Sequence, residues 1–243
     1  ETGDMGNLTL TEKKEDDMLQ YEYGRSGLKL GLQLEQKLGV NPYQFGFIGS
    51  TDSHTALATA AEENFFGKHS GTEPGPERMT HPVGCFGEMC VFGWQQAASG
   101  LAAVWSTENT RDALFDAMKR RETYATTGSR MLVRFFGGWE FDADDARSRT
   151  PGEVGYTKGV PMGSVLGKPK AEAPNFLVAA RKDPFSGNLD RIQIVKGWLD
   201  KNGKPQEKVY DVVWSGEREP DASGRLPPVG NTVDVANATW TNT

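Results

Sequence analysis

The stretch Phe45-Gly46-Phe47-Ile48-Gly49-Ser50, followed by Thr51-Asp52-Ser53-His54-Thr55, decides how the fold of this chain is interpreted. Its first six residues form an apolar run between turn residues, and a run this short predicts a buried strand rather than a helix. A helical pattern of leucines at four-residue spacing precedes it, ends at Leu38 and is followed by Gly39, a residue typical of helix C-termini. Residues 55–63 are rich in alanine and predict another helix. This order of elements is typical of an α/β layer with parallel strands.

Asp52 and His54 are the residues of this stretch that are best suited to carry chemistry. They follow the predicted strand directly, and the functional groups of parallel α/β folds gather at the carboxyl ends of strands. In an extended chain, residues two apart project to the same side, which would bring a carboxylate and an imidazole together. Such a pair suits a divalent cation of the Zn, Mn or Fe type. A structural alternative stays open, in which Asp52 caps the following helix and His54 bonds a loop.

The rest of the first half continues the α/β pattern around one long loop. Residues 64–86 are punctuated by Gly and Pro and predict an ordered loop of a length that is often functional. Residues 101–105 predict a second buried strand. Residues 108–121 predict a helix with Glu108 in its first turn and basic residues in its last.

The character of the sequence changes near residue 130. Residues 142–170 are charged and rich in Gly and Pro, and they predict a loop insertion. Residues 191–199 and 209–214 predict two strands joined by the turn signal Lys201-Asn202-Gly203-Lys204. We therefore expect an α/β part over residues 1–128 and a β-rich module over residues 129–243.

The composition excludes some classes of partner. The 243 residues carry a formal net charge of −6, whereas binding to a phosphate backbone depends on clustered Lys and Arg, so we expect no nucleic-acid partner. The longest apolar run is far shorter than the roughly 20 residues of a membrane-spanning helix. Cys85 and Cys90 lack the Cys-x-x-Cys spacing of a zinc or redox motif. Two separate thiols are the preferred interpretation, with a local disulfide as the alternative.

Several segments resemble a known family. Residues 47–55 look like the last metal-binding motif of the PHP (polymerase and histidinol phosphatase) superfamily, in which an Asp-x-His pair ends a barrel strand. Residues 64–71 and the region from 108–111 to 121–128 resemble a bacterial branch of long proteins in that superfamily. The resemblance continues into the β-rich part of the chain, where Phe136-Gly137-Gly138-Trp139 lies.

The resemblance implies a fold and a chemistry. The superfamily has a distorted (β/α)7 barrel, similar to a TIM barrel, which holds two or three metal ions and most often hydrolyses phosphoesters with metal-activated water. Asp52 and His54 carry over as metal ligands. The superfamily's early His-x-His motif has no counterpart here. We therefore expect residues 1–128 to form the C-terminal part of such a barrel, which would associate with an upstream part of the same protein. An exported or periplasmic location rests on the resemblance alone.

Lys68 and His69 are further candidates for the site. They lie in the predicted loop that follows the Asp-x-His pair, from which they could reach over the site and contact an anionic small-molecule substrate. A solvated polar loop is the alternative, because Lys and His are commonly exposed in loops.

Two functions follow from these expectations. The first is a metal-dependent hydrolase, most readily a phosphoesterase, for which this chain gives part of the active site; an amide or another ester stays open as substrate. The second is a non-catalytic barrel relic whose β-rich module binds a glycan or a protein partner. It is motivated by the missing His-x-His pair and by tryptophans on the predicted strands, although tryptophan on a strand is more often part of the core.

Overall fold

The computed structural model describes residues 15–21, 23–56, 65–71, 73–86, 89–96, 100–167, 173–234, 236–237 and 239–241. These residues form a mixed α/β structure with three α-helices and several small antiparallel sheets. The helices are α1 (Gly24–Leu38), α2 (Arg111–Lys119) and α3 (Pro151–Lys158). The strands are β1 (Pro82–Phe86), β2 (Met89–Phe92), β3 (Leu101–Val104), β4 (Thr123–Thr126), β5 (Leu132–Gly138), β6 (Gly159–Pro161), β7 (Asn175–Arg181), β8 (Arg191–Leu199), β9 (Pro205–Trp214), β10 (Val233–Asp234) and β11 (Thr239–Trp240).

The strands pair locally rather than across a large sheet. The two-stranded sheets are β1–β2, β3–β4, β8–β9 and β10–β11, and a three-stranded sheet has the order β6–β5–β7. All of these pairs are antiparallel, so the expectation of a parallel-stranded layer is wrong for the described residues. The same residues form no closed barrel. None of their helices is long and apolar enough to cross a membrane.

The chain divides into two compact units. One unit is Glu1–Gln44 together with Leu189–Thr241, and the other contains Phe45–Asn188. Residue 128 lies inside the second unit, between β4 and β5. The division at this residue that the sequence suggests remains a prediction.

In the first unit, α1 packs against the β8–β9 hairpin. The helix ends as expected, because Gly39 has a φ of 78° and its N–H donates to the carbonyl of Glu35. Lys29 and Arg25 both reach Glu207 on β9, at 3.0 and 3.2 Å. The predicted hairpin is confirmed: β8 and β9 pair from Arg191↔Trp214 to Leu199↔Pro205 and turn at residues 200–204.

In the second unit, an apolar cluster lies between α3 and the β6–β5–β7 sheet. Phe136, Phe141 and Leu177 are buried there, with Val154 of α3 packed against them. The helix corrects the predicted loop over residues 142–170. Pro151 stands in its first turn and Lys158 in its last, and these start and stop signals prevail over the Gly-rich composition.

Residues 45–50 are not a strand of any described sheet, which corrects the first expectation from the sequence. Their apolar side chains are also not buried: Ile48 is 62% exposed, and Phe45 and Phe47 are exposed too. The segment nevertheless passes very close to β3. A Cβ atom on Gly49 would lie 2.6 Å from the carbonyl oxygen of Leu101, so glycine is required for this approach. The predicted helix over residues 55–63 lies largely outside the described residues.

The two cysteines form a disulfide, which corrects the preferred interpretation of two separate thiols. Cys85 on β1 and Cys90 on β2 are directly opposite partners in the antiparallel register. The hairpin therefore brings their sulfur atoms together, although five positions separate them in the sequence. Strand β1 of this hairpin occupies the end of residues 64–86, the segment predicted to be a long loop, and β2 lies beyond it.

Candidate functional site

The backbone brings the two predicted residue pairs side by side. His54 and His69 form an isolated parallel bridge, and the N–H of His54 donates to the carbonyl of Lys68 at 2.8 Å. The hydroxyl of Ser70 donates to the carbonyl of His54 at 3.4 Å. Asp52, His54, Lys68 and His69 thus belong to one cluster in the second unit.

Asp52 and His54 approach each other through a turn rather than through an extended chain. Asp52 has a φ of 51°, a left-handed conformation that Asp tolerates better than most residues. Its N–H donates to Oγ of Ser50 at 3.2 Å, which stabilises the turn. Oδ1 of Asp52 lies 3.3 Å from Nε2 of His54. Both side chains face solvent, at 66% and 56% exposure, so the pair is accessible to a ligand.

Lys68 places a buried cation against this pair. Its side chain is only 5% exposed, and its Nζ lies 3.2 Å from Oδ2 of Asp52. The ammonium also donates to the carbonyl of Thr51 at 2.8 Å. The hydrogen bond from Lys68 holds the pKa of Asp52 below its ordinary value; partial burial opposes this, and His54 adds a smaller lowering effect. Asp52 is therefore held in the charged form.

His69 is oriented by an amide. Its Nε2 lies 2.7 Å from Oε1 of Gln96, and an amide oxygen can only accept, so Nε2 carries the proton. This contact favours the tautomer with its lone pair on Nδ1. The ring centroid of His69 lies 4.6 Å from that of His54, with an angle of 46° between the two rings. Gln96 is thus a residue of the site that the sequence did not suggest.

Glu73 supports the loop that carries Lys68 and His69. Its carboxylate is buried and accepts hydrogen bonds from the backbone N–H groups of both residues, the one from His69 at 3.3 Å. Arg78 forms an ion pair with Glu73 and donates to the carbonyl of Gln96 at 2.7 Å. Nothing in the sequence distinguishes Glu73 from other loop carboxylates, because its role depends on the tertiary fold.

The cluster fits a divalent cation in part. Asp52 and His54 offer a carboxylate oxygen and an imidazole nitrogen, both suitable for a Zn, Mn or Fe ion. Among the described residues, however, no three His, Cys, Asp or Glu side chains are arranged so that they could hold a metal ion. The described part of the chain therefore offers two metal-ligand atoms, Oδ1 of Asp52 and Nε2 of His54. The second carboxylate oxygen, Oδ2 of Asp52, is already in contact with the Lys68 ammonium.

The geometry defines a small antiparallel α/β unit with an accessible carboxylate–imidazole pair beside a buried cation. Over residues 1–243 the chain matches the model of a family described as protein of unknown function (DUF3604), and it belongs to that family. No curated protein matches the chain. No solved structure matches it either.

Proposed function

We propose that this protein is a metal-dependent hydrolase, most readily a phosphoesterase, in which Asp52 and His54 provide part of the metal site. The observation that carries the proposal is the 3.3 Å approach of Oδ1 of Asp52 to Nε2 of His54 on two solvent-facing side chains. Hydrogen bonds and a lysine hold the carboxylate charged, as a metal ligand must be. The resemblance of residues 47–55 to the Asp-x-His motif of the PHP superfamily supports the same assignment.

The proposed fold of the whole protein is the distorted (β/α)7 barrel of that superfamily. Residues 45–50 support this fold. They form an exposed apolar segment directly before Asp52 and His54, and packing beside further strands would bury their apolar side chains and stabilise the segment. The close approach of Gly49 to β3 gives this segment one neighbour of that kind. An upstream part of the same protein would supply the remaining strands and metal ligands.

The residues of the cluster have distinct roles in this proposal. A divalent cation of the Zn, Mn or Fe type supplies Lewis acidity for the attack of water on the scissile bond. Asp52 and His54 would hold it. Lys68 fixes the position of the Asp52 carboxylate through its contact with Oδ2, leaving Oδ1 on the side of His54. His69, beside His54, stays a candidate for contact with an anionic small-molecule substrate, whereas the buried ammonium of Lys68 acts as the counter-ion of Asp52.

The proposal is tested by the metal content of the purified protein, measured by inductively coupled plasma mass spectrometry after reconstitution with Zn, Mn or Fe. The variants Asp52→Asn and His54→Gln should retain much less metal than the unmodified protein. His81→Gln is the matched control, since the backbone hydrogen bonds of this histidine join it to Glu77 and Gly93 rather than to the cluster, and its metal content should not change. Equal metal content in all four proteins would contradict the assignment.

A further inference from the structure

One face of the β8–β9 hairpin has an unusual arrangement of charge. In the register of this hairpin, Lys196 lies directly opposite Lys208. Like charges in directly opposite positions of a sheet destabilise it. Both lysines are exposed, so their charges are accessible from solvent. The arrangement is therefore a candidate for binding an anion.

An aromatic ring lies on each side of the lysine pair along the hairpin. Nζ of Lys196 lies 5.3 Å from the centroid of the Trp198 ring, and Nζ of Lys208 lies 4.8 Å from that of Tyr210. These cation–π contacts hold each ammonium beside an aromatic surface. Because the strands are antiparallel, Trp198 and Tyr210 lie on opposite sides of the lysine row, about 13 Å apart along the hairpin at 3.3 Å per residue.

The acidic side chains nearby do not neutralise this face. Glu207 lies on the opposite face of the hairpin, where it pairs with Lys29 and Arg25 of α1. Asp200, in the turn, accepts from the backbone N–H groups of Asn202 and Lys204 and from the side-chain amide of Gln206 on the lysine face, and its one negative charge is fewer than the two positive charges of the lysines. The face with Lys196 and Lys208 therefore keeps a net positive charge in a chain whose formal charge is −6.

We propose that this face binds an anionic polysaccharide rich in uronic acids. The apolar C–H face of a pyranose ring stacks on Trp198 or Tyr210, and the carboxylates of neighbouring sugars pair with Lys196 and Lys208. The row of aromatic ring, lysine pair and aromatic ring suits an extended chain rather than a single sugar. Binding here is independent of the Asp52–His54 pair, and it would localise the protein on a polymer rather than perform chemistry.

A nucleic acid is a poorer match for the same surface. Proteins that bind nucleic acid carry a basic surface of Lys and Arg over a larger area, usually with a net positive domain. This face has two lysines and no arginine among its paired positions from Ile194↔Tyr210 to Trp198↔Gln206. Arginine, with its planar fork, is the residue favoured for phosphate.

The test is binding of the whole chain to immobilised polygalacturonate by biolayer interferometry at low salt, with a neutral polysaccharide and single-stranded DNA as competitors. Lys196→Glu with Lys208→Glu should weaken binding about tenfold, since two exposed ion pairs are replaced by repulsion. Lys196→Arg with Lys208→Arg keeps the charge and should keep binding. Tyr210→Ala, which changes no charge, should also weaken it.

A remote charge reversal provides the matched control. Arg111→Glu with Lys119→Glu on α2 changes the net charge by the same amount at two exposed positions. It should leave binding unchanged. An equal loss in this control would overturn the proposal, because net charge alone would then explain the effect. So would the absence of saturable binding to polygalacturonate, or equally strong competition by single-stranded DNA or by the neutral polysaccharide.

Discussion

The ammonium of Lys68 lies 3.2 Å from Oδ2 of Asp52. The Lys68 side chain is almost completely buried, whereas the Asp52 carboxylate faces solvent. A buried charge is costly unless it is compensated. Here the compensation comes from Asp52 and from the carbonyl of Thr51. The candidate metal ligand is thus also the counter-ion of a buried lysine, and its two oxygens have different partners.

This relationship predicts a non-additive effect of two substitutions. Asp52→Ala should lower the free energy of unfolding by about 1 kcal/mol, because it leaves the buried ammonium with one partner fewer; solvent screening of the exposed carboxylate keeps the value small. Adding Lys68→Met removes the uncompensated charge and should restore most of the loss. Urea unfolding of the unmodified protein, of Asp52→Ala, of Lys68→Met and of the double variant measures the coupling. A double variant whose loss equals the sum of the single losses would contradict it.

Glu73 should be more important for stability than its place in a loop suggests. Glu73→Gln removes the charge that pairs with Arg78 and weakens the acceptor for two backbone N–H groups. We expect a fall of about 2 kcal/mol in the free energy of unfolding, the magnitude typical of a disrupted buried network. Glu77→Gln, at an exposed position of the neighbouring 3-10 helix Pro76–Met79, is the control and should change little. Similar losses in both variants would count against this role.

The Cys85–Cys90 disulfide predicts protection of both thiols. Without reductant, iodoacetamide should add no mass to the unfolded chain, whereas after reduction it should modify both cysteines. Replacing both by serine should lower stability by about 2 kcal/mol, as the loop-entropy relation gives for so short a loop. Alkylation without reductant would show that the thiols are separate. Disulfides persist in oxidising compartments. The redox state of Cys85 and Cys90 in protein isolated from its native host would therefore indicate whether the protein resides in such a compartment.

Asp200 provides a prediction about pH. The backbone N–H groups of Lys204 and Asn202 donate to its carboxylate and hold its pKa below the ordinary value. Its contribution to stability is therefore present above the unfolded pKa, about 3.9, and is lost as the pH falls through the lower folded value. Carbonyl-detected NMR should show Asp200 titrating below 3.9. A value at or above this would mean that the turn between β8 and β9 does not hold the carboxylate.

Local signals in the sequence predicted several elements correctly. The end of α1 at Gly39 and the β8–β9 hairpin depend on residues close together in the chain, so turn and cap chemistry are sufficient to identify them. The apolar run over residues 101–105 predicts a buried strand; the strand is confirmed as Leu101–Val104, but it is only partly buried. For α3, the signals Pro151 and Lys158 were present but were hidden by the surrounding glycines.

Tertiary contacts decide what the sequence could not show. The hydrophobicity of residues 45–50 predicts burial, yet the neighbours that this segment has among the described residues leave Phe45, Phe47 and Ile48 exposed. The Cys85–Cys90 pairing depends on a strand register rather than on spacing. At the site, Asp52 and His54 could be chosen by residue type and position. The buried Lys68 ammonium and its loop support from Glu73 arise only when distant parts of the chain meet.

Metal-dependent hydrolysis tests the central claim most directly. The full-length protein and its Asp52→Asn variant should be assayed against a panel of phosphomonoesters, once after loading with Zn, Mn or Fe and once after chelation. The account predicts hydrolysis that chelation abolishes, that added metal restores, and that the variant lacks while still folding. Hydrolysis that survives chelation or persists in Asp52→Asn, or a metal-loaded protein that hydrolyses none of the phosphomonoesters, would contradict it.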